Sequence, residues 1–549
     1  MKWYVSEKIK LANKFGQWYW YADDECKIVD TGKYLIIYHG YLIGDEHIDD
    51  VIKKDPYKLK DANGYYWAII LTQNGLTAIQ DYFCHTKIFY RITDTIDVTN
   101  CIYFFPFTGK DIDILKIQQR LEMVPKKHKK YKPLETFEKL ETFILDWQSY
   151  SETKRDSVPD KFPYGYKSTA RVGIRQYQPK MSQTVFHNTF ILEPDHYLEI
   201  KNKKANVIRS HDTYQSIVDS LNNTLPYKSS EEVEDYIHEC MLSHANIIKK
   251  TYKNIVSSLG EGIDSNLVDM YFPEAKKIMY HLQPENAPFM YKQKVIEKMP
   301  RPRDIQINHF PLDKVSEIAK NVMNDPTCFY WDCLPSMDQI NRLRTKPDCV
   351  LFQQGGDNMW MHKKFFYYEF MWGKLTADKT ITGEQKLEKF NQILKEYAGS
   401  YSSKNNIWDK NDMAWQSAFP PPIGVTESEY RKQLIRELED DGPDEWKEDF
   451  VKKNTPGLYN RELFHCCDTP IISLHSDRRI FYTVMQCPED IMLSSIKDVT
   501  IQRNILKRKF NYHFETASKD QAEYNAVHMI KSVYIDSVKY CLEDHLCQI

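Results

Sequence analysis

Residues 255–268 read "IVSSLGEGIDSNLV". A short apolar run ends in two serines, passes two glycines one residue apart, meets Asp264 and Ser265, and re-enters an apolar pattern. Two readings compete: an ordinary strand–turn–helix corner, or a loop that holds the phosphates of a nucleotide. A glycine-rich turn between a strand and a helix exposes consecutive backbone N–H groups beside a helix N-terminus, and together these attract an anion. Gly260 and Gly262 permit a tight path, Ser258 and Ser265 offer hydroxyl donors, and Ile263 opens the following apolar pattern. Asp264 is out of place if phosphate alone binds there, because a carboxylate repels it. It becomes reasonable if it holds a magnesium ion that bridges phosphate oxygens. The turn is not a Walker loop, since no Gly-Lys pair in the chain precedes Ser or Thr, and it lacks the spacing of a dinucleotide fingerprint.

The chain has 549 residues, enough by length for roughly two to four domains. Apolar residues make up 42% and charged ones 28%, a balance that suits a folded globular protein rather than a disordered one. The 74 basic and 77 acidic side chains leave a net charge of −3, which argues against a general polyanion-binding surface. No nucleic-acid module is recognisable. The 37 tyrosines, with many Lys, Ile and Asn, read as the codon usage of an AT-rich genome rather than as an aromatic platform.

No apolar stretch approaches bilayer-spanning length, and "MKWYVSEKIKLANKFGQ" carries charges where a signal peptide needs its apolar core. A cytoplasmic, reducing setting is the expectation. Cys84, Cys101, Cys240 and Cys349 have no paired spacing and read as buried thiols. "HCC" (465–467) lacks the second Cys or His pair of a structural zinc site.

The first two hundred residues read mainly as strands: "KYLIIYHGYLIG" (33–44), "GYYWAIILTQNGLTAIQD" (64–81) with a hairpin signal at "QNG", and "KIFYRITDTIDV" (87–98). Residues 111–150 are Lys- and Glu-rich at helical spacing, and "HNTFILEPDHYLEIKNKKANVI" (187–208) resumes as a hairpin. From about 210 the texture changes. "SSEEVEDYIHECMLSHANIIKKTY" (229–252) has a Ser cap, an acidic first turn and helical period. Beyond the opening stretch, "KKIMYHL", "DIQINHF" and "DCVLFQQ" alternate with helical pieces, the pattern of an α/β layer. Residues 380–460 form a polar helical and loop excursion, and the tail from 490 is helical, with "IQRNILKRKF" (501–510) strongly basic.

"GIDSNLV" after an apolar strand resembles the pyrophosphate loop of N-type ATP pyrophosphatases, usually S-G-G-[LI]-D-S-S. More specifically, it is similar to the synthetase domain of class B asparagine synthetases and their relatives, the β-lactam synthetases and lasso-peptide cyclases. Other pieces fall in the family's order. "PTCFYWDCLPS" (326–336) resembles P-T-x-Y-D-x-P-S, and "VLFQQGGDNMW" (350–360) resembles the strand followed by S-G-E-G-A-D-E. Upstream, "NGYYWAIILTQNG", "QD" (80–81) and "KIFY" (87–90) are similar to G-x-F-A, R-D and P-L-Y-Y landmarks. "NTFILEPDHYLEI" (188–200) resembles the element before the linker, and "LHSDRRIF" and "IQRNILKRKF" look like the late P-F-L-D and K-Y-I-L-R helices. The resemblance covers nearly the whole chain through individually degenerate motifs.

It implies an α+β fold: an Ntn-hydrolase-like β-sandwich over 1–208, of the class II glutamine amidotransferase kind, then an α/β PP-loop ATP pyrophosphatase (adenine nucleotide α-hydrolase-like) domain over 209–549 with surrounding helices. It also implies ATP and Mg2+. Asp264 and Asp357 would be the metal ligands, with Ser258, Gly260, Gly262, Ile263, Ser265, Gly355 and Gly356 around the nucleotide. The ion would neutralise phosphate charge while a substrate carboxylate attacks the α-phosphorus, and an amine acceptor would then take the acyl group as an amide with loss of AMP. A late lysine would cover the departing charge, with Lys507, Lys509 and Lys519 as candidates. The partners expected are a carboxylate substrate and an amine acceptor, with no membrane; a homodimer is the assembly considered.

Three departures shape the expectation. Position 2 is Lys2 where the family presents an N-terminal Cys, so the glutaminase half is expected to be a structural or docking remnant, and glutamine not to be the nitrogen source. Glu261 puts a bulky anion where close phosphate approach is wanted. Gln354 and Asn358 replace the two glutamates of the second signature, which suggests an altered second half-reaction. Three functions stand side by side: an amide ligase using ammonia or a free amine, a β-lactam synthetase- or lasso-cyclase-like ligase with an intramolecular or macromolecular amine, and a catalytically degenerate scaffold.

Overall fold

The computed structural model describes residues 1–114, 139, 184–193, 196–210, 229–260, 262–281, 305–309, 338, 340, 342–343, 345–352, 364–400, 427–440 and 469–514. Two compact units divide the chain: Met1–Asp111, Ser182–Trp360 and Thr455–Ile549 form the first, and Ile112–Met181 with Met361–Asn454 the second.

The first unit begins with twelve short strands: β1 (Trp3–Ser6), β2 (Asn13–Phe15), β3 (Trp18–Ala22), β4 (Lys27–Asp30), β5 (Leu35–Leu42), β6 (Gly64–Leu71), β7 (Gly75–Gln80), β8 (Phe89–Ile92), β9 (Ile96–Thr99), β10 (Thr189–Ile191), β11 (His196–Lys201) and β12 (Lys204–Arg209). They make two six-stranded sheets, ordered β10-β8-β9-β1-β3-β2 and β12-β11-β7-β6-β5-β4. Every pairing in both is antiparallel. Trp3, Val5, Trp18 and Val98 of the first sheet share one core with Ile37, Trp67, Ile69 and Leu198 of the second, so the sheets pack face to face. The alternate row of the second sheet, including Ile36, Tyr66, Ala68 and Ile70, packs against Ile48, Val51 and Ile52. Successive strand residues point to opposite faces, so a strand covered on both sides is apolar throughout. That accounts for "GYYWAIIL", buried at all of its positions. The stretch 187–208, expected as one hairpin, divides between the sheets. β10 joins the first, while β11 and β12 form the hairpin through Asn202 and Lys203, both at positive φ as a type I′ turn requires.

Five further strands, β13 (Ile255–Ser258), β14 (Lys276–His281), β15 (Ile305–His309), β16 (Cys349–Leu351) and β17 (Ile471–Ile472), form a parallel sheet ordered β15-β14-β13-β16-β17. The chain therefore builds outward from β13 in one direction, then restarts on its other side at β16. Among the described residues the helices are α1 (Ile48–Lys54), α2 (Ser230–Thr251), α3 (Ile263–Tyr271), α4 (Lys364–Ala377), α5 (Gly383–Ser400), α6 (Glu427–Asp440), α7 (Arg478–Gln486), α8 (Glu489–Asp498) and α9 (Thr500–Phe510). Ser229 caps α2 through the Glu232 N–H, with Glu231 and Glu232 in the first turn, where the sequence puts them. Among the described residues no helix is long and apolar enough to cross a membrane. The described cysteines are buried thiols outside any disulfide, as their contexts suggest.

Hydrogen bonds join the antiparallel sheets to the α/β layer within this unit. The Tyr41 hydroxyl lies 2.8 Å from His244 Nε2, and His244 Nδ1 lies 3.2 Å from the Leu474 carbonyl. Asn63 Nδ2 donates to Asp477 Oδ1 at 3.0 Å, and Arg478 Nη2 donates to the Asp61 carbonyl at 2.7 Å. Asp477, at the end of "LHSD", also caps α7 through the Arg479 N–H.

The second unit packs α4, α5 and α6 together. The buried Lys386 ammonium donates to the Thr376 carbonyl at 3.0 Å and the Leu438 carbonyl at 2.8 Å, near the C-termini of α4 and α6. A cation there satisfies carbonyls the helices leave open and matches the negative ends of their dipoles.

Candidate functional site

β13 and β16 are parallel neighbours, with Ile255 opposite Cys349, Val256 opposite Val350 and Ser257 opposite Leu351. This is where strand order reverses, and in open parallel sheets the crevice beyond the carboxyl ends at such a point is where ligands bind. The opening stretch leaves the sheet from β13. Gln354, Gly355, Gly356, Asp357 and Asn358 follow β16 in the chain but lie outside the described residues, as do Glu261, Lys519, "PTCFYWDCLPS" and "HCC".

"IVSS" is fully buried as β13, and α3 starts at Ile263 with Gly262 at its N-cap and no side chain capping it. Gly262 has φ −75° and Gly260 is likewise outside the left-handed region, so neither glycine is needed for a strained turn. A Cβ added at Gly262 would meet nothing within 4 Å. Gly262, at an exposed position, itself adds no side chain over the first-turn N–H groups of α3.

Ser265 is placed differently from its expected part. Its side chain is buried, and its hydroxyl lies 2.9 Å from both the Gly260 and Gly262 carbonyls. Asn266 Nδ2 donates to the Gly262 carbonyl at 2.8 Å, while its Oδ1 accepts from the Tyr512 hydroxyl at 3.3 Å. A hydroxyl has one proton to give. Ser265 spends it on the loop's own backbone, so together with Asn266 it fixes the loop's shape. Ser258 is buried at the end of β13.

Asp264 is half-buried in the first turn of α3, beside the positive end of the helix. Gln502 Nε2 donates to its Oδ1 at 2.6 Å, and Gln502 is itself fully buried on α9. This partner was missed in the sequence, although a signal exists: Gln502 shares a helical face with the apolar Ile505 and Leu506.

The late lysines on α9 do not gather at the loop. Lys507 is exposed, and five residues beyond Gln502 it is turned about 140° around the helix. Lys509 pairs with Asp235 of α2 at 3.0 Å. Arg508 and Asn504 hold the buried Glu234 of α2 at 2.5 and 2.7 Å, so the basic face of α9 serves largely to dock it.

In the antiparallel half, the "QD" landmark makes a buried knot. Gln80 Nε2 donates to the Leu192 and Glu193 carbonyls at 3.1 and 2.7 Å, tying this landmark to the one at 188–200. Asp81 accepts from the Phe83 and His85 N–H groups and lies 2.7 Å from His85 Nδ1. Burial pushes the Cys26 thiol well above its ordinary range, a state unsuited to nucleophilic attack.

Among the described residues no group of three His, Cys, Asp or Glu side chains gathers as a metal centre. Asp264 offers one carboxylate, in the first turn of a helix whose N-cap is glycine. The chain matches no family model and no curated protein.

Proposed function

We propose that the protein is an ATP- and magnesium-dependent ligase that activates a carboxylate as its acyl-adenylate and passes the acyl group to ammonia or another amine. The observation that carries this reading is the adjacency of β13 and β16 at the reversal of strand order, because their outgoing segments hold the two carboxylates, Asp264 and Asp357. On this reading the parallel sheet is a PP-loop ATP pyrophosphatase layer and the paired antiparallel sheets are an Ntn-hydrolase-like sandwich kept for structure or docking.

The residues fit the implied ligands. The start of α3, with glycine at its N-cap, suits a phosphate group, and Asp264 beside it suits a divalent cation. Magnesium, when bound, supplies charge neutralisation across the phosphates. The chain's own residues do the rest: first-turn N–H groups of α3 bind phosphate oxygen, Ser265 and Asn266 keep the loop's shape, and Gln502 holds Asp264. A substrate carboxylate oxygen bonds to the α-phosphorus as the bond to pyrophosphate breaks. The amine then bonds to the acyl carbon and gives up a proton to solvent as AMP leaves.

ATP–pyrophosphate exchange tests the reading, with Asp264→Ala and Asp357→Ala each expected to abolish it. A ligase with an intramolecular or macromolecular amine differs only in acceptor, and product mass with ammonia against cell extract separates the two. A degenerate scaffold is the second reading, favoured by Ser265 being turned onto backbone and Lys509 onto Asp235. It predicts no exchange with any carboxylate.

A further inference from the structure

We infer that Gln502 is a positioning residue for Asp264, setting how tightly the loop holds a divalent cation with its nucleotide; this rests on the proposed ATP–magnesium reading. A carboxylate that takes a cation must be held in a fixed plane, because free rotation about its χ2 angle spreads its oxygens over many directions. Gln502 meets that need from a different element. Its amide donates to Asp264 Oδ1 at 2.6 Å, and with no side-chain exposure it has little freedom to swing away.

The donor's chemistry matters as much as its reach. A lysine or arginine there would cancel the carboxylate charge and compete with a cation. A neutral amide orients the carboxylate without itself cancelling its charge.

The helix that carries Gln502 is itself fixed. Buried Glu234 on α2 is gripped by Asn504 and Arg508 at 2.7 and 2.5 Å. Just beyond α9, the Tyr512 hydroxyl reaches Asn266 Oδ1 at 3.3 Å. α9 thus holds the start of α3 at two places: directly at Asp264, and through Asn266 at the Gly262 carbonyl. Residues almost 240 positions apart in the chain make one carboxylate rigid.

The test uses full-length protein and Mn2+ as the probe, with free Mn2+ read by its EPR signal in the presence and absence of a non-hydrolysable ATP analogue. The wild type and Asp264→Asn judge the parent reading. If wild type takes up no nucleotide-dependent Mn2+, or Asp264→Asn takes up as much, that reading falls whatever Gln502 does.

Gln502→Met judges this inference, since it keeps side-chain length while removing the amide. Nucleotide-dependent Mn2+ affinity is expected to fall about 10-fold, with nucleotide affinity in the absence of metal unchanged. In the Asp264→Asn background, Gln502→Met is expected to cause no further loss. An unchanged Mn2+ affinity, or an equal loss with and without the Asp264 carboxylate, overturns the assignment. Should the methionine variant fail to fold, Gln502→Asn retracts the amide by one methylene and is judged by the same outcomes.

Discussion

Asp269 of α3 and Lys277 of β14 meet at 2.5 Å, with neither side chain exposed to solvent. The same ammonium donates to the Phe272 carbonyl at 2.6 Å, just past the last turn of α3. A buried cation at the C-terminal end therefore anchors the helix whose N-terminal end is the candidate site. Removing one member of such a pair takes this partner from the other charge in a poorly solvating interior. Lys277→Met is expected to destabilise the protein by about 3–5 kcal/mol, and adding Asp269→Leu to recover most of that loss. Urea denaturation followed by circular dichroism checks it. Equal stability of the single and double variants would show that the buried charge left at Asp269 is not the cost.

Gly262→Ala separates the corner from the phosphate loop. The φ of −75° suits alanine and the space beside it is empty, so the cost is about 1 kcal/mol, that of a poorer helix cap. Nucleotide binding is expected to weaken by 10-fold or so as the methyl group covers the first-turn N–H groups. Calorimetric titration with ATP reads this; undiminished affinity in a stable variant would favour the plain corner.

His244 gives a pH signature. The Leu474 carbonyl can only accept, so Nδ1 carries the proton and Nε2 accepts from the Tyr41 hydroxyl. Burial holds its pKa down at about 4 from an ordinary 6.5. Above pH 6.5 the ring is neutral in folded and unfolded chains alike. As pH falls from 6.5 towards 4 the unfolded chain takes the proton first, so stability declines through that window and levels off below it. His39, also lowered to about 4 by burial, acts in the same sense. Denaturation midpoints should therefore drop between pH 7 and pH 5, less steeply in His244→Gln. An identical slope in the variant would remove His244 as a cause.

Lys507→Ala and Lys509→Ala should each leave pyrophosphate exchange within about twofold of wild type. Lys507 is exposed and Lys509 is engaged with Asp235, so removing either has the small effect of altering a surface charge. A hundredfold loss in either would mean that α9 carries the cation that acts on the leaving group.

The strand–turn–helix corner, the cap at Ser229 and the strands at β14 to β16 were legible because local signals suffice for them: an apolar run, a glycine break, a capping serine. The division of 187–208 between two sheets was not, since pairing partners lie about a hundred residues away and leave no mark in the local pattern. At the site, residue types were readable but their bonds were not. Ser265 looks like a phosphate donor in any list of loop residues, yet its proton goes to Gly260 and Gly262. Gln502 and Lys277 are each a polar residue on an otherwise apolar stripe, a sign of a buried partner that does not say which partner. Asp264 stood out by its chemistry, as a carboxylate in a turn otherwise suited to an anion.

The most direct measurement is the return of labelled pyrophosphate to ATP, with magnesium and a panel of carboxylic acids, in wild type and in Asp264→Ala. Exchange with at least one acid in wild type, lost in the variant, is the result expected of an adenylating ligase whose loop carboxylate holds the metal. No exchange with any acid in a folded protein that binds ATP, or exchange that survives Asp264→Ala, would contradict it.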